Sequence, residues 1–169
     1  MRMKAAIMFE QGIPRPYATN KPLVVEEIEL DPPGPGEILI EVAAAGLCHS
    51  DLSAIEGLRW RPLPVVIGHE GAGIVREVGE GVIGLKAGDH VVTVFAASCG
   101  ECRYCVRGRP NICPSGFGAR SQGTLMSGAK RMRRLDGTPI NHGSGLSLFS
   151  QFAVVNRRSA VKIDPDIPL

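Results

Sequence analysis

Four of the five cysteines crowd between Cys99 and Cys113, as Cys99-x-x-Cys102-x-x-Cys105 followed by Cys113 across a longer gap. A secreted disulfide framework would favour an even count spread along the chain, whereas crowded thiols in a reducing compartment point to metal. The chain has no Asn-x-Ser/Thr sequon, in keeping with that compartment. Four thiolates on a short loop suit a closed tetrahedral zinc site with Zn–S near ~2.3 Å. A four-cysteine iron–sulfur ligand run has similar spacing, so the residues alone leave both metals open. Gly100 and Gly108 permit the turns that aim the sulfurs inward.

The rest of the chain must build something that can hold this loop. Its 169 residues suffice for one domain. A domain of this size buries roughly 70% of its unfolded surface and needs no disulfide to keep a core. Gly (21) and Pro (13) together supply about one residue in five, against an average near one in eight. That excess argues against a helical bundle and for short strands joined by turns. Apolar or alternating runs predict strands at Met3–Met8, Leu23–Leu30, Glu37–Ala44, Gly71–Val78, Asp89–Phe95, Phe152–Val155 and Ala160–Ile163. One short helix is expected at Ser50–Glu56, capped by Ser50 or His49 and stopped by Gly57. Gln122–Gly145 is polar and glycine-rich and reads as a long loop. No alternation of strands with long amphipathic helices is present, so no doubly wound sheet is expected.

Charge and hydropathy narrow the partners. The net charge of +2 leaves no electrostatic footprint for nucleic acid. No apolar run approaches the ~18 residues of a membrane span. The N-terminal Met-Arg-Met-Lys-Ala-Ala-Ile-Met reaches Glu10 before a secretory core could form. The expected location is therefore the cytoplasm, with no nucleic-acid or membrane partner. The basic run Lys130-Arg131-Met132-Arg133-Arg134 could grip an anion, but a solvated loop face is the simpler expectation.

Two further stretches invite a chemical reading. Gly46-Leu47-Cys48-His49-Ser50-Asp51, with Gly68-His69-Glu70 downstream, offers a thiolate, an imidazole and a carboxylate, the donor types of a catalytic zinc. Cys48 stands at the predicted helix start, where the helix dipole favours a thiolate. A buried cysteine and a hydrogen-bonded core histidine would account for the same residues. Gly79-Glu80-Gly81-Val82-Ile83-Gly84 matches the glycine string of a dinucleotide site, but that string must open a helix. Here another turn, Leu85–Asp89, leads to another strand, so the stretch reads as a β-turn.

Taken in order, Gly68–Val75, Val78–Val82, Gly88-Asp89-His90-Val91, the four-cysteine loop and Gly46–Asp51 resemble the zinc-dependent medium-chain alcohol dehydrogenases. The resemblance runs from about Lys4 to Ile163. The segment from Gln122-Gly123-Thr124-Leu125 to Phe149-Ser150-Gln151-Phe152 is most similar to the liver-type branch that includes the glutathione-dependent formaldehyde dehydrogenases. It implies a mainly β fold, a GroES-like, partly open barrel with few short helices. Residues 1–169 would form this catalytic domain, and a zinc loop over 95–113 would project from it.

The resemblance also implies roles. Cys48, His69 and possibly Glu70 would hold a catalytic zinc, and Cys99, Cys102, Cys105 and Cys113 a structural one. Asp51 would orient His69, Ser50 would bind the substrate hydroxyl and begin a proton relay, and His49 would meet the cofactor pyrophosphate. Phe95 and Trp60 would line the substrate pocket. The implied activity is oxidation of a small-molecule alcohol to an aldehyde or ketone, with hydride passing to NAD or NADP, in a homo-oligomer when full length. Two departures stand out. Ser53 occupies a position where liver-type members often carry a relay histidine. The third zinc ligand and the nicotinamide-binding Rossmann domain of the family lie beyond Leu169. The chain is therefore expected to be a catalytic-domain piece, inert alone. The alternative is a stand-alone zinc-binding module without turnover that pairs with full-length subunits.

Overall fold

The computed structural model describes residues 1–169 and divides the strands between two sheets. In the first, β1 (Arg2–Met8), β2 (Val24–Leu30), β7 (Met132–Arg134), β8 (Pro139–His142) and β4 (Val65–Val66) close into a barrel. The second is an open sheet in the order β10 (Ala160–Lys162), β6 (His90–Thr93), β5 (Glu70–Val78), β3 (Glu37–Gly46) and β9 (Phe152–Asn156). The helices are α1 (Tyr17–Asn20), α2 (His49–Ile55) and α3 (Pro114–Gln122), of four, seven and nine residues. The mainly β expectation and its open half are thus met, and no helix is long and apolar enough to cross a membrane.

Alternation along the strands builds the two cores. In β1, Met3, Ala5 and Ile7 turn inward, where Ile28, Leu30, Val66, Met132 and Ile140 fill the barrel. In β3, Ile38 and Ile40 face the other way and pack with Val75, Val91 and Val155 of the open sheet. Because Leu39 lies in the barrel core between them, one strand serves both cores, as the two-residue side-chain period allows. All seven strands expected from the sequence are present within a residue or two of their expected ends.

Residues 122–145 depart from the long-loop reading, because β7 and β8 lie there and close the barrel. The basic run is likewise corrected. Lys130 is exposed as expected, but Met132–Arg134 form a strand and Arg131, Arg133 and Arg134 are held by ion pairs. Arg133 stands opposite Glu29 in the β2–β7 ladder and donates to it at 2.8 Å, with a second bond to Asp31. Arg134 donates to Glu26 at 3.0 Å. Arg131 reaches Glu37, whose side chain is 1% exposed, at 2.9 Å, and its amide donates to Nε2 of the buried His142. Burial, and then the nearby Arg131 and Lys130 charges, push the His142 imidazole down to about 3, so it stays neutral. Opposite charges across a ladder stabilise a sheet as apolar pairs do, but carry no hydropathy signal. Helix α3 also escapes the sequence reading, since Pro114, Gly116 and Gly118 weaken its pattern; Pro114 occupies its first turn, where the missing amide costs nothing.

The turn at Gly79–Gly84 leads into β6 and opens no helix, as expected. It is clamped to the β2–β3 turn by Gly36 N–H to Glu80 O and Gly79 N–H to Glu37 O, both 2.8 Å.

Glu37 sits at the junction of both sheets, accepting from Arg131, Ser127 and the Gly34 amide. Arg131→Ala would leave that carboxylate buried and unpaired. The expected loss is about 3 kcal/mol, seen in urea as a lower midpoint at unchanged slope. An unchanged midpoint would contradict this role.

Candidate active site and metal centres

Strand pairing brings distant residues together. In the β3–β5 ladder Gly46 lies opposite Glu70. The chain leaving β3 therefore delivers Cys48 beside the chain entering β5, which carries His69. Gly68 makes that approach possible: its φ is +91°, and a Cβ there would lie 2.6 Å from the Phe149 ring. No other residue type fits without displacing Phe149.

Helix α2 begins at His49 with Cys48 as its N-cap, one residue earlier than the sequence reading allowed, and Gly57 (φ +78°) supplies the expected left-handed stop. Asp51, 4% exposed, accepts from the Cys48 amide at Oδ2 (3.2 Å) and from His69 Nδ1 at Oδ1 (3.2 Å). Those contacts leave His69 Nε2 facing Cys48 and Ser50. Ser50 Oγ lies 3.3 Å from Cys48 Sγ and 3.2 Å from His69 Nε2. The metal-ligating atoms of Cys48, His69 and Glu70 all lie within 4.8 Å of one another. The Ser50 hydroxyl and amide, then His69, pull the Cys48 thiol below its ordinary value, which favours the thiolate a metal requires. The hydrogen bond that His69 donates to Asp51 raises the imidazole above its ordinary value, outweighing burial.

This donor set fits zinc. A thiolate, an imidazole and a carboxylate are among its usual ligands. A ligating histidine also typically gives its second ring N–H to a carboxylate, as His69 does to Asp51.

The three groups line one cleft of about 580 Å³. Phe95 stands over it, its ring edge-on to His69 at a centroid separation of 5.8 Å. Trp60 lines the same cleft, so the two aromatic residues singled out from sequence are both there. The sequence reading missed Arg59, Arg61, Phe117 and Arg120, which also line it. The Arg-Trp-Arg-Pro run just before β4 was the available signal. His49 is exposed and lies outside the cleft lining. Ser53 Oγ donates to the His49 carbonyl at 3.1 Å and lies 3.5 Å from its Nδ1.

The second cluster joins Cys99, Cys102, Cys105 and Cys113, whose sulfurs also lie within 4.8 Å of one another. Four of the separations are 3.9, 3.5, 4.0 and 3.6 Å. A regular tetrahedron with ~2.3 Å bonds has edges of about 3.8 Å. The spacing therefore fits a single ion, whereas a multi-iron cluster spreads its cysteines over several metals. Burial pushes the Cys105 thiol up to about 11. Burial acts the same way on Cys113, but the amides of Cys99 and Gly116 overcome it and bring that thiol to about 6.

Comparison with known proteins decides the lineage. Residues 34–165 match the family described as the alcohol dehydrogenase GroES-like domain. The chain belongs to that family. It is 43% identical over 169 residues to the NDMA-dependent alcohol dehydrogenase of Amycolatopsis methanolica, covering all of this chain and 43% of that protein. It is 41% identical over 167 residues to S-(hydroxymethyl)glutathione dehydrogenase of Escherichia coli, covering 98% of this chain and 43% of that protein. Among solved structures, an alcohol dehydrogenase zinc-binding domain protein from Burkholderia ambifaria superposes with a TM-score of 0.89 at 33% identity, over 100% of this chain and 44% of that one. Benzyl alcohol dehydrogenase from Acinetobacter calcoaceticus gives 0.85 at 30%, over 99% and 42%. The alcohol dehydrogenase GroES-like domain here thus spans less than half the length of these relatives.

Metal uptake by the four-cysteine cluster should depend on pH, because ligands must lose their protons. Cys105 remains protonated at neutral pH, so each step upward from pH 6 should raise the affinity for zinc, with protons released on binding. Competition titrations against a chelator should show this trend, and a pH-independent affinity would contradict it.

Proposed function

We propose that this chain is the zinc- and substrate-binding domain of an NAD- or NADP-dependent alcohol dehydrogenase, oxidising an alcohol to an aldehyde or ketone. The convergence of Cys48, His69 and Glu70 within 4.8 Å in the lining of a cleft, with Ser50 Oγ within reach of two of them, carries this reading. Zinc, when bound, supplies Lewis-acid polarisation of the alcohol oxygen, and the nicotinamide supplies the hydride acceptor.

The residues of this chain then have distinct tasks. Cys48 and His69 hold the metal, with Glu70 beside it. Asp51 fixes the His69 ring so that Nε2 points at the cleft. Ser50 Oγ accepts the proton of the substrate hydroxyl and hands it outward. Phe95 and Trp60 wall the site and keep water from the reacting carbon. His49, exposed at the first residue of α2, meets the cofactor pyrophosphate. The four-cysteine loop holds a second zinc in a closed shell with no position for substrate, which makes its role structural. The reduced thiols of both sites suit the cytoplasm. In this reading the nicotinamide domain comes from sequence other than residues 1–169, and these residues alone turn over no alcohol.

Ser50→Ala supplies the test, made in the enzyme that joins this domain to its nicotinamide domain. Turnover at neutral pH should fall on the order of a hundred-fold, the scale of a positioned proton-transfer group. Metal content should be unchanged. Wild-type turnover in an assay limited by chemistry would remove Ser50 from proton transfer.

A further inference from the structure

The cleft has a second pole. Besides Cys48, His69 and Glu70, its lining includes three arginines, Arg59, Arg61 and Arg120. None of the three has a carboxylate within ion-pair distance, whereas Arg15, Arg76, Arg131, Arg133 and Arg134 all do. Glu70, at the metal-ligand end, is the only carboxylate in the lining.

The backbone carrying Arg59 and Arg61 is pinned, Arg59 itself being exposed, and Arg120 is tied to Phe95. Gln11 clamps the first two: its Nε2 donates to the Arg59 carbonyl at 2.7 Å, and its Oε1 accepts from the Arg61 amide at 3.0 Å. Arg61 is half-buried, and its Nη1 donates to the Trp60 carbonyl. Arg120, in the last turn of α3, lies 5.8 Å from the Phe95 ring centroid and donates to the Phe95 carbonyl. Phe95 in turn stands 5.8 Å from the His69 ring. Two such steps lead from Arg120 to His69, a span that a short carbon chain bridges.

Like charges gathered in one cleft repel one another. After burial, the Arg59 and Arg120 charges are what lower the Arg61 pKa. An anion entering here relieves that repulsion, and planar guanidinium forks match carboxylate and phosphate oxygens two at a time.

We propose that Arg59, Arg61 and Arg120 bind an anionic group on the substrate, making the substrate class an alcohol or aldehyde that carries a carboxylate or phosphate at its far end. The proposal rests on the reading of this cleft as the alcohol site. The dinucleotide pyrophosphate is a different source of the same chemistry, but His49, the residue assigned to it, lies outside this cleft.

Trp60 is the only tryptophan of the chain and stands between Arg59 and Arg61, so its fluorescence reports the pole directly. The zinc-loaded chain is titrated with 6-hydroxyhexanoate, 1-hexanol, hexanoate, inorganic phosphate and NAD. The hydroxy acid should bind at least about tenfold more tightly than 1-hexanol, a difference of about 1.4 kcal/mol. Hexanoate and phosphate should compete with it. Arg61→Gln and Arg120→Gln should each erase the preference while leaving 1-hexanol affinity, zinc content and the urea midpoint unchanged. Equal affinity for the two alcohols, or equal losses for both in the variants, would overturn the proposal. So would NAD displacing the acids and depending on the same arginines, which would assign the pole to the cofactor. Failure of the underlying reading looks different: the hydroxyl of 6-hydroxyhexanoate would add nothing to the affinity of hexanoate, with zinc or without it, although the acids still bound through the arginines.

Discussion

Asp51 uses both carboxylate oxygens on the site, one on the His69 ring and one on the Cys48 amide, each at 3.2 Å. The first fixes which imidazole nitrogen faces the cleft. The second fixes the start of α2, and with it the direction of the Cys48 sulfur. The β3–β5 ladder brings the two segments to the same place, but a ladder sets backbone positions and leaves side-chain aim open. Buried at 4% exposure, the Asp51 carboxylate is screened little by water, so its two contacts are worth more than surface bonds of the same length.

The two candidate metal centres place different demands on the fold. The four-cysteine loop carries all its donors between Cys99 and Cys113, and its sulfur tetrahedron needs only local turns. Cys48 and His69 are separated by α2, β4 and the turn at Gly68, and they meet only because the open sheet forms. The first site can therefore order a loop, whereas the second reports whether the whole domain has folded.

Legibility in the sequence followed hydropathy and spacing. The strands of the open sheet are apolar or alternating runs rich in Val, Ile and Ala, and all of them were visible. The four cysteines and the Cys48–Asp51 and Gly68–Glu70 stretches stood out by spacing, and the resemblance they carry named the fold. Part of what remained hidden was written in charge. Strand β7 pairs arginines with Glu26, Glu29 and Asp31, so it looked like a loop, and with it the barrel closure was missed. Arg59, Arg61 and Arg120 were hidden for a related reason: two lie in a turn and one on a glycine-containing helix that no periodicity announces, and only the fold places them around one cleft.

Calorimetric titration of zinc into the reduced, metal-free chain, compared between the wild type and Asp51→Asn, tests the central claim most directly. The wild type should show a tight site and a weaker one. In the variant the weaker site should lose about 10–100-fold in affinity, the usual effect of removing a carboxylate that orients a histidine ligand, while the tight four-sulfur site stays unchanged. Two sites unaffected by the substitution would contradict the account, as would a single site in the wild type.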